Sequence, residues 1–277
     1  QVGGNRLVLT DKRNRTGLKR IRKDQKMDTG RLVVSLLVIV GMAANTLSNQ
    51  KPRGRAAGDP ELAKKIARFS PTVLTADLSQ LSAGDRQALT KIIAAAKILD
   101  PLFLRQVWSG NDALKQKLEA DKSAAGKQRL HYFLINDGPW SRLDHNEPFI
   151  EGVPQQKPAH ANYYPDDMTK AEFETWVAGL PEADKQKATG FFHLIRRGAD
   201  GKLMTVPYSQ AYSEFLVPAA KLLNEAAALT TNKSLKDYLT KRAAAFASDD
   251  YYASDVAWMD LDSPIELTIG PYETYED

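Results

Sequence analysis

From Asp59 to Phe246 the apolar residues keep returning at three- and four-residue intervals behind residues that cap helices, which restricts the chain to a mainly helical fold. Asp59-Pro60 opens the series, with an N-cap acid and a proline at the first turn ahead of Leu62, Ile66 and Phe69. Ser82-Ala83-Gly84-Asp85 resembles a capping box, and the helix behind it is expected to bury Leu89, Ile92, Ile93 and Ala96. Pro101 is expected to open a separate short helix carrying Leu102, Leu104, Val107 and Trp108. Two more helices are expected from Asn111 to Leu118 and from Lys127 to Leu134, with Gly126 between them. Thr169-Lys170-Ala171-Glu172 is a stronger capping box, with Phe173, Trp176, Val177 and Leu180 behind it. The stretch from Ser209 to Leu229 reads as a long helix that Pro218 kinks or divides, and Leu235 to Phe246 as another. Packing against neighbouring stripes accounts for all of these, and none is marked as a cofactor box.

Two stretches depart from that period. Gly190 to Arg196 and Lys202 to Tyr208 flank Gly198-Ala199-Asp200-Gly201, the signature of a β-hairpin with Asp-Gly at its turn, and His193 within it reads as a strand side chain. Near the end, Ile265-Glu266-Leu267-Thr268-Ile269-Gly270 alternates apolar and polar residues as a half-buried strand does, until Pro271 stops ladder pairing. The fold class is therefore α+β, predominantly α-helical, with a β-hairpin and a C-terminal strand. The irregular run from Asn136 to Pro148 contains Asp144, His145 and Glu147, residue types that ligate metals, but their spacing matches no zinc pattern and a structural loop is the expectation, with Trp140 covering core. The acidic, aromatic run from Asp249 to Asp262 lacks the glycine-punctuated loop of a calcium site. It reads as a cleft-facing loop before the Ile265 strand or as an exposed helix end.

Charge separates the N-terminus from the rest. Residues 1–26 hold nine Lys/Arg and two Asp of the 38 basic and 34 acidic residues, so residues 27–277 carry 29 against 32 and are mildly acidic. A nucleic-acid footprint on the folded part is unsupported. Residues 1–26 are expected to be a basic, disordered arm. Residues 27–48 contain Leu32 to Ala44, an uncharged run that suits the apolar core of a signal peptide or signal anchor and is short for a membrane span of about 20 residues. Residues 49–58 read as a linker and 59–277 as the folded part. Export to the periplasm or outside is the expected localisation, with membrane contact only through the N-terminal segment. There is no cysteine, hence no disulfide, thiolate metal site or cysteine nucleophile. A Gly-rich phosphate loop, a Walker lysine and a G-x-S-x-G elbow are also missing.

After Pro271 the chain reads Tyr272-Glu273-Thr274-Tyr275-Glu276-Asp277. Glu273 and Tyr275, two apart on an extended segment, share a face. A carboxylate beside a phenol suits a cationic group such as a peptide amine next to a carbonyl. On spacing alone a solvated strand end is the expected reading. The run Ile269-Gly270-Pro271-Tyr272-Glu273-Thr274-Tyr275 resembles the I-G-x-x-E-[ST]-Y segment of the dipeptidyl-peptidase III family of zinc metallopeptidases, in particular a shorter, divergent branch. The wording of Asn162-Tyr163-Tyr164-Pro165-Asp166-Asp167-Met168-Thr169-Lys170 and Asn136-Asp137-Gly138-Pro139-Trp140 is similar to the same branch, so the resemblance runs from about Pro60 to the end.

The resemblance implies part of a two-lobed hydrolase that releases dipeptides from peptide N-termini, with Glu273 holding the substrate's α-amine and Tyr275 bonding its backbone near the scissile bond. In the family a zinc ion polarises that bond, on a helix bearing His-Glu-x-x-Gly-His or His-Glu-x-x-His. This chain has no His-Glu dipeptide: its histidines precede Tyr132, Asn146, Ala161 and Leu194. The expectation is an N-terminal portion that supplies a substrate-binding wall, no catalytic residue and no zinc ligand, inactive alone. Its partners would be a peptide substrate and the missing C-terminal part of the same polypeptide. The competing expectation is a secreted, non-catalytic binding or scaffold protein.

Overall fold

The computed structural model describes residues 58–271 and the backbone of Leu7–Val8. The two residues Leu7–Val8 (β1) pair antiparallel with Glu266–Leu267 (β6), Leu7 opposite Leu267. The remainder of 1–57, with the leader and linker expected there, lies outside the described residues, as does 272–277 with Glu273 and Tyr275.

Capping residues set where the helices begin. Asp59 accepts from the backbone amides of Glu61 and Leu62 at the start of α1 (Pro60–Ile66). Ser82 accepts from the Asp85 amide at 3.0 Å to start α2 (Ala83–Val107). The Asp85 carboxylate then accepts from the Thr230 hydroxyl at 2.6 Å, tying that helix start to chain 145 residues further on. Helices α3 (Asn111–Ala120) and α4 (Ala124–Asn136) follow. Gly126, expected between two helices, lies inside α4, because Ser123 caps the helix by accepting from the Gly126 amide.

The prolines did not act as the local rules suggest. Pro101 lies inside α2, a continuous helix of 25 residues, instead of opening a new one. A proline inside a helix costs about 3 kcal/mol. Burial of Leu99, Leu102, Phe103 and Val107 around it offsets that cost. Pro218 likewise sits within a later helix that it neither kinks into two nor ends.

The irregular run after α4 forms β2 (Trp140–Ser141), a 3-10 turn over Arg142–Asp144, and β3 (Glu147–Pro148), the two strands paired antiparallel. Trp140 is buried, as expected. Then come α5 (Lys170–Ala178), capped by Thr169, and α6 (Glu182–Thr189). The expected hairpin forms from β4 (His193–Arg197) and β5 (Leu203–Pro207), with His193 opposite Pro207. Gly201 turns it at a φ of 78°, which a side chain would disfavour.

Tyr208–Ala211 (α7) is separated from Ser213–Leu229 (α8) at Tyr212, so the division falls six residues before Pro218. Lys233–Ser248 (α9) is capped by Asn232 and is followed by Tyr252–Met259 (α10). The Asp249 to Asp262 run is thus largely a helix rather than a cleft loop.

Helices α2, α8, α9 and α10 pack in succession around one large core. Leu99, Ile92, Leu223, Leu235 and Tyr238 are fully buried in it. A second, smaller cluster gathers Met168, Ala188, Ile195 and Leu203 under the hairpin, α5 and α6. A third joins Leu104, Leu118 and Phe133 between α2, α3 and α4. The terminal strand is shorter than expected, but its alternation holds: Ile265, Leu267 and Ile269 all point into the large core. No helix among the described residues is long and apolar enough to cross a membrane.

Candidate functional site

The last turn of α2, the loop before α5, strand β4 and helix α7 meet where the large core adjoins the hairpin cluster. A helix end leaves carbonyls without intrahelical partners. Here the Asn162 side chain and amide satisfy two of them, donating to the oxygens of Arg105 at 2.9 Å and Gln106 at 2.8 Å. The Asn162 carbonyl in turn accepts from Arg196 Nη2 at 2.8 Å. The next residue adds a strand-like bond, Ile195 N donating to the Tyr163 carbonyl at 3.0 Å.

The segment here turns, with Tyr163 N donating to the His160 carbonyl at 3.2 Å, and its two tyrosines pack against different cores. Tyr163 packs on the large core and lies against Tyr208, with ring centroids 6.5 Å apart. Tyr164 packs on the hairpin cluster, edge-on to Phe173. The pair forms a hinge of side chains between the two cores.

The chain leaves the described region at this seam. Pro271 is buried, and its carbonyl accepts from Gln106 Nε2 at 2.5 Å. Tyr212, 2% exposed, lies beside that amide without a hydrogen bond of proper geometry to its hydroxyl. Burial pushes the phenol up to about 12, against Gln106, Arg196 and Arg105. Burial also lowers Arg196 from the usual arginine value, with Tyr212, Tyr208 and Asp166 opposing. Arg105 beside them is satisfied: it reaches Asp112 at 2.9 Å and Glu214 at 2.5 Å, and covers the Phe215 ring.

Gln106, Arg196 and Tyr212 were not among the residues singled out by sequence, and Asn162 stood out only as the first residue of a run resembling the family. Two of them left a trace there. Gln106 falls in step with Leu99, Leu102 and Phe103 on a helical face that is otherwise apolar. Arg196 shares with Leu194 the strand face turned to the large core. A polar residue on a core stripe needs a partner, and that is the signal both gave.

Of the loop residues singled out as metal-ligating types, Asp144 is drawn into a network of ion pairs and hydrogen bonds. Asp144 accepts from Lys65 at 2.7 Å, Arg68 at 2.5 Å and Ser141 at 2.6 Å, which hold its carboxyl well below the usual range. Ser141 is also bonded to the Tyr132 hydroxyl at 2.7 Å. His145 and Glu147 stay exposed. No group of three or more His, Asp or Glu side chains able to hold a metal forms among the described residues. They do not fit the zinc ion of the peptidase family, and no step is assigned to one.

The helical body and its seam have the fold of part of a peptidase-like hydrolase. Two solved structures carry that placement. Dipeptidyl-peptidase III from Corallococcus sp. strain EGB is 55% identical, with a TM-score of 0.73 over 76% of this chain and 39% of that one. DPP III from Caldithrix abyssi is 46% identical, with a TM-score of 0.69 over 72% of this chain and 37% of that one. The chain is related to the dipeptidyl-peptidase III family. Among curated proteins, Nudix hydrolase 3 of Arabidopsis thaliana is 40% identical over 264 residues, 78% of this chain and 34% of that protein. Its name denotes a different hydrolase class and is at odds with the peptidase structures. The chain therefore spans between a third and two fifths of the relatives it matches. No family model matches.

Proposed function

We propose that this chain forms one substrate-binding wall of a zinc-dependent hydrolase that releases dipeptides from peptide N-termini, with the zinc ligands on other polypeptide. Glu273 holds the free α-amine of the peptide, and Tyr275 hydrogen-bonds its backbone. The observation that carries this reading is the clamp on Pro271 by Gln106. It fixes the backbone two residues before Glu273, and two residues of chain reach no further than about 7 Å. In this reading the peptide amine is held close to the seam between the two cores. A leader in residues 27–48 that directs export belongs to the same proposal.

The test is peptide binding by the full chain. Tetra-alanine with a free amine should bind about tenfold more tightly than its N-acetyl form, since a charged amine loses its carboxylate partner on acetylation. Glu273→Ala should erase that preference. Equal binding of the two peptides by the unaltered chain removes the amine role. A longer form of the protein that hydrolyses nucleoside diphosphate derivatives and leaves peptides intact would favour the activity named for the plant relative.

A further inference from the structure

Arg196 and Arg197 are neighbours on β4, and among the described residues only Arg197 has its charge answered. Arg197 is held by Asp167 at 3.0 Å and by Glu172 at 2.8 Å. Arg196 points the other way, into the seam, and among the described residues donates only to uncharged oxygens. These are Ile195 O at 2.9 Å, Asn162 O at 2.8 Å and, less directly, Asn162 Oδ1 at 3.4 Å. Asp166 acts on it through space without forming an ion pair. Its Nε–H makes no hydrogen bond among the described residues, and an arginine offers five donors in a fixed fork.

A half-buried guanidinium without a counter-charge is costly to keep. The nearby Tyr212 hydroxyl is fully buried beside the Gln106 side chain and has no hydrogen bond of proper geometry among the described residues. Buried polar groups are ordinarily satisfied, so two donors with unmet capacity that act on each other electrostatically invite a shared acceptor. The Gln106 amide is already committed to the Pro271 carbonyl and holds the wall next to them.

We propose that Arg196 and Tyr212 form a subsite for a carboxylate on the bound peptide, either its C-terminus or an acidic side chain. The carboxylate accepts from the free guanidinium N–H groups and from the Tyr212 hydroxyl. This rests on the peptide-binding reading above and adds the chemistry of the substrate's other end. A short peptide is then held by opposite charges at two points, its amine by Glu273 and its carboxylate by Arg196.

Isothermal titration of the full chain with three peptides that all keep a free amine tests it: tetra-alanine acid, tetra-alanine amide, and Ala-Ala-Asp-Ala amide. The acid should bind about tenfold more tightly than the plain amide, the difference expected of a charge-assisted pair. Tightening by the aspartyl amide alone assigns the site to acidic side chains, and tightening by the free acid alone assigns it to the C-terminus. Arg196→Gln should remove the preference. Tyr212→Phe keeps the ring and its packing, so it should reduce the preference even if the arginine variant fails to fold. Equal binding of all three peptides by the unaltered chain overturns the subsite and leaves the amine site standing. Binding of none of them overturns both.

Discussion

The two cores of this molecule are built on different terms. The large one, around α2, α8, α9 and α10, is filled by apolar and aromatic side chains that are almost wholly removed from water. Even Arg242, a cation buried there, lies over the rings of Tyr238 and Tyr251 and reaches Asp255 at 2.7 Å. The hairpin cluster buries only Met168, Ala188, Ile195 and Leu203, and charges close it from outside. Arg197 draws together the start of α5, through Glu172, and the loop before it, through Asp167. The difference teaches where rigidity and adaptability reside. Apolar burial falls off with contact area, so a small cluster beside a large one is the part able to shift. The candidate site lies on the line between them.

Substituting one buried side chain in each core puts that contrast to the test. Phe246, 2% exposed in the large core, should cost about 3–5 kcal/mol on replacement by alanine. Denaturant unfolding would show it as a fall in the global midpoint. Ile195→Ala should cost about 2 kcal/mol, the low end for such a truncation, because the small cluster can collapse around the gap. Hydrogen exchange in that variant should quicken in β4, β5, α5 and α6 and spare α8 and α9. Equal slowing or quickening across both regions would mean that they unfold as one unit, and the contrast would be lost.

How much of this was legible in the sequence depended on distance along the chain. The caps at Asp59, Ser82 and Thr169, and the turn at Asp200-Gly201, are set by neighbours within four residues, and all were readable. So was the alternation of Ile265, Leu267 and Ile269. Pro101 and Pro218 misled because packing around a helix overrode the local cost of its proline. The seam was the least visible part. Gln106 and Pro271 are 165 residues apart, and Arg196 and Asn162 are 34 apart, so no period or spacing links them. The resemblance to dipeptidyl-peptidase III rested on wording, and the solved structures bear it out. Its two site residues, Glu273 and Tyr275, fall beyond the described chain.

The charged closure of the hairpin cluster gives a smaller effect with its own pH dependence. Hydrogen bonds from Arg197 lower the carboxyls of Asp167 and Glu172 from their ordinary values of 3.8 and 4.5. A carboxyl depressed in the folded state adds stability above its unfolded value and loses it as pH falls through the folded one. Acid should therefore loosen the hairpin region first, at pH below about 4.5. Arg197→Gln should produce the same loosening at neutral pH and flatten its acid dependence. Exchange of the β4 and β5 amides reads both, and a variant that exchanges like the unaltered chain would show that the clamp contributes nothing.

His193 yields the smallest effect and the one confined to the border of the two cores. It stands at the start of β4, where burial lowers its pKa from 6.5, Asp249 opposes that shift and Lys187 adds to it. A histidine depressed on folding is bound by protons more readily when unfolded, so the folded state loses stability as pH drops below 6.5 toward the folded value and is unaffected above it. Asp249 limits the loss, because it stands ready to receive the charged ring. It is itself committed to Ser209, accepting from the amide at 2.8 Å and the hydroxyl at 2.5 Å, which anchors the start of α7. Protonated His193 would compete for that carboxylate and slacken α7, the helix that leads to Tyr212. In His193→Gln the melting temperature should lose its slope between pH 6.5 and 5, while the steeper acid fall from the carboxylates remains. An unchanged slope would place the titration elsewhere and free α7 from any link to pH.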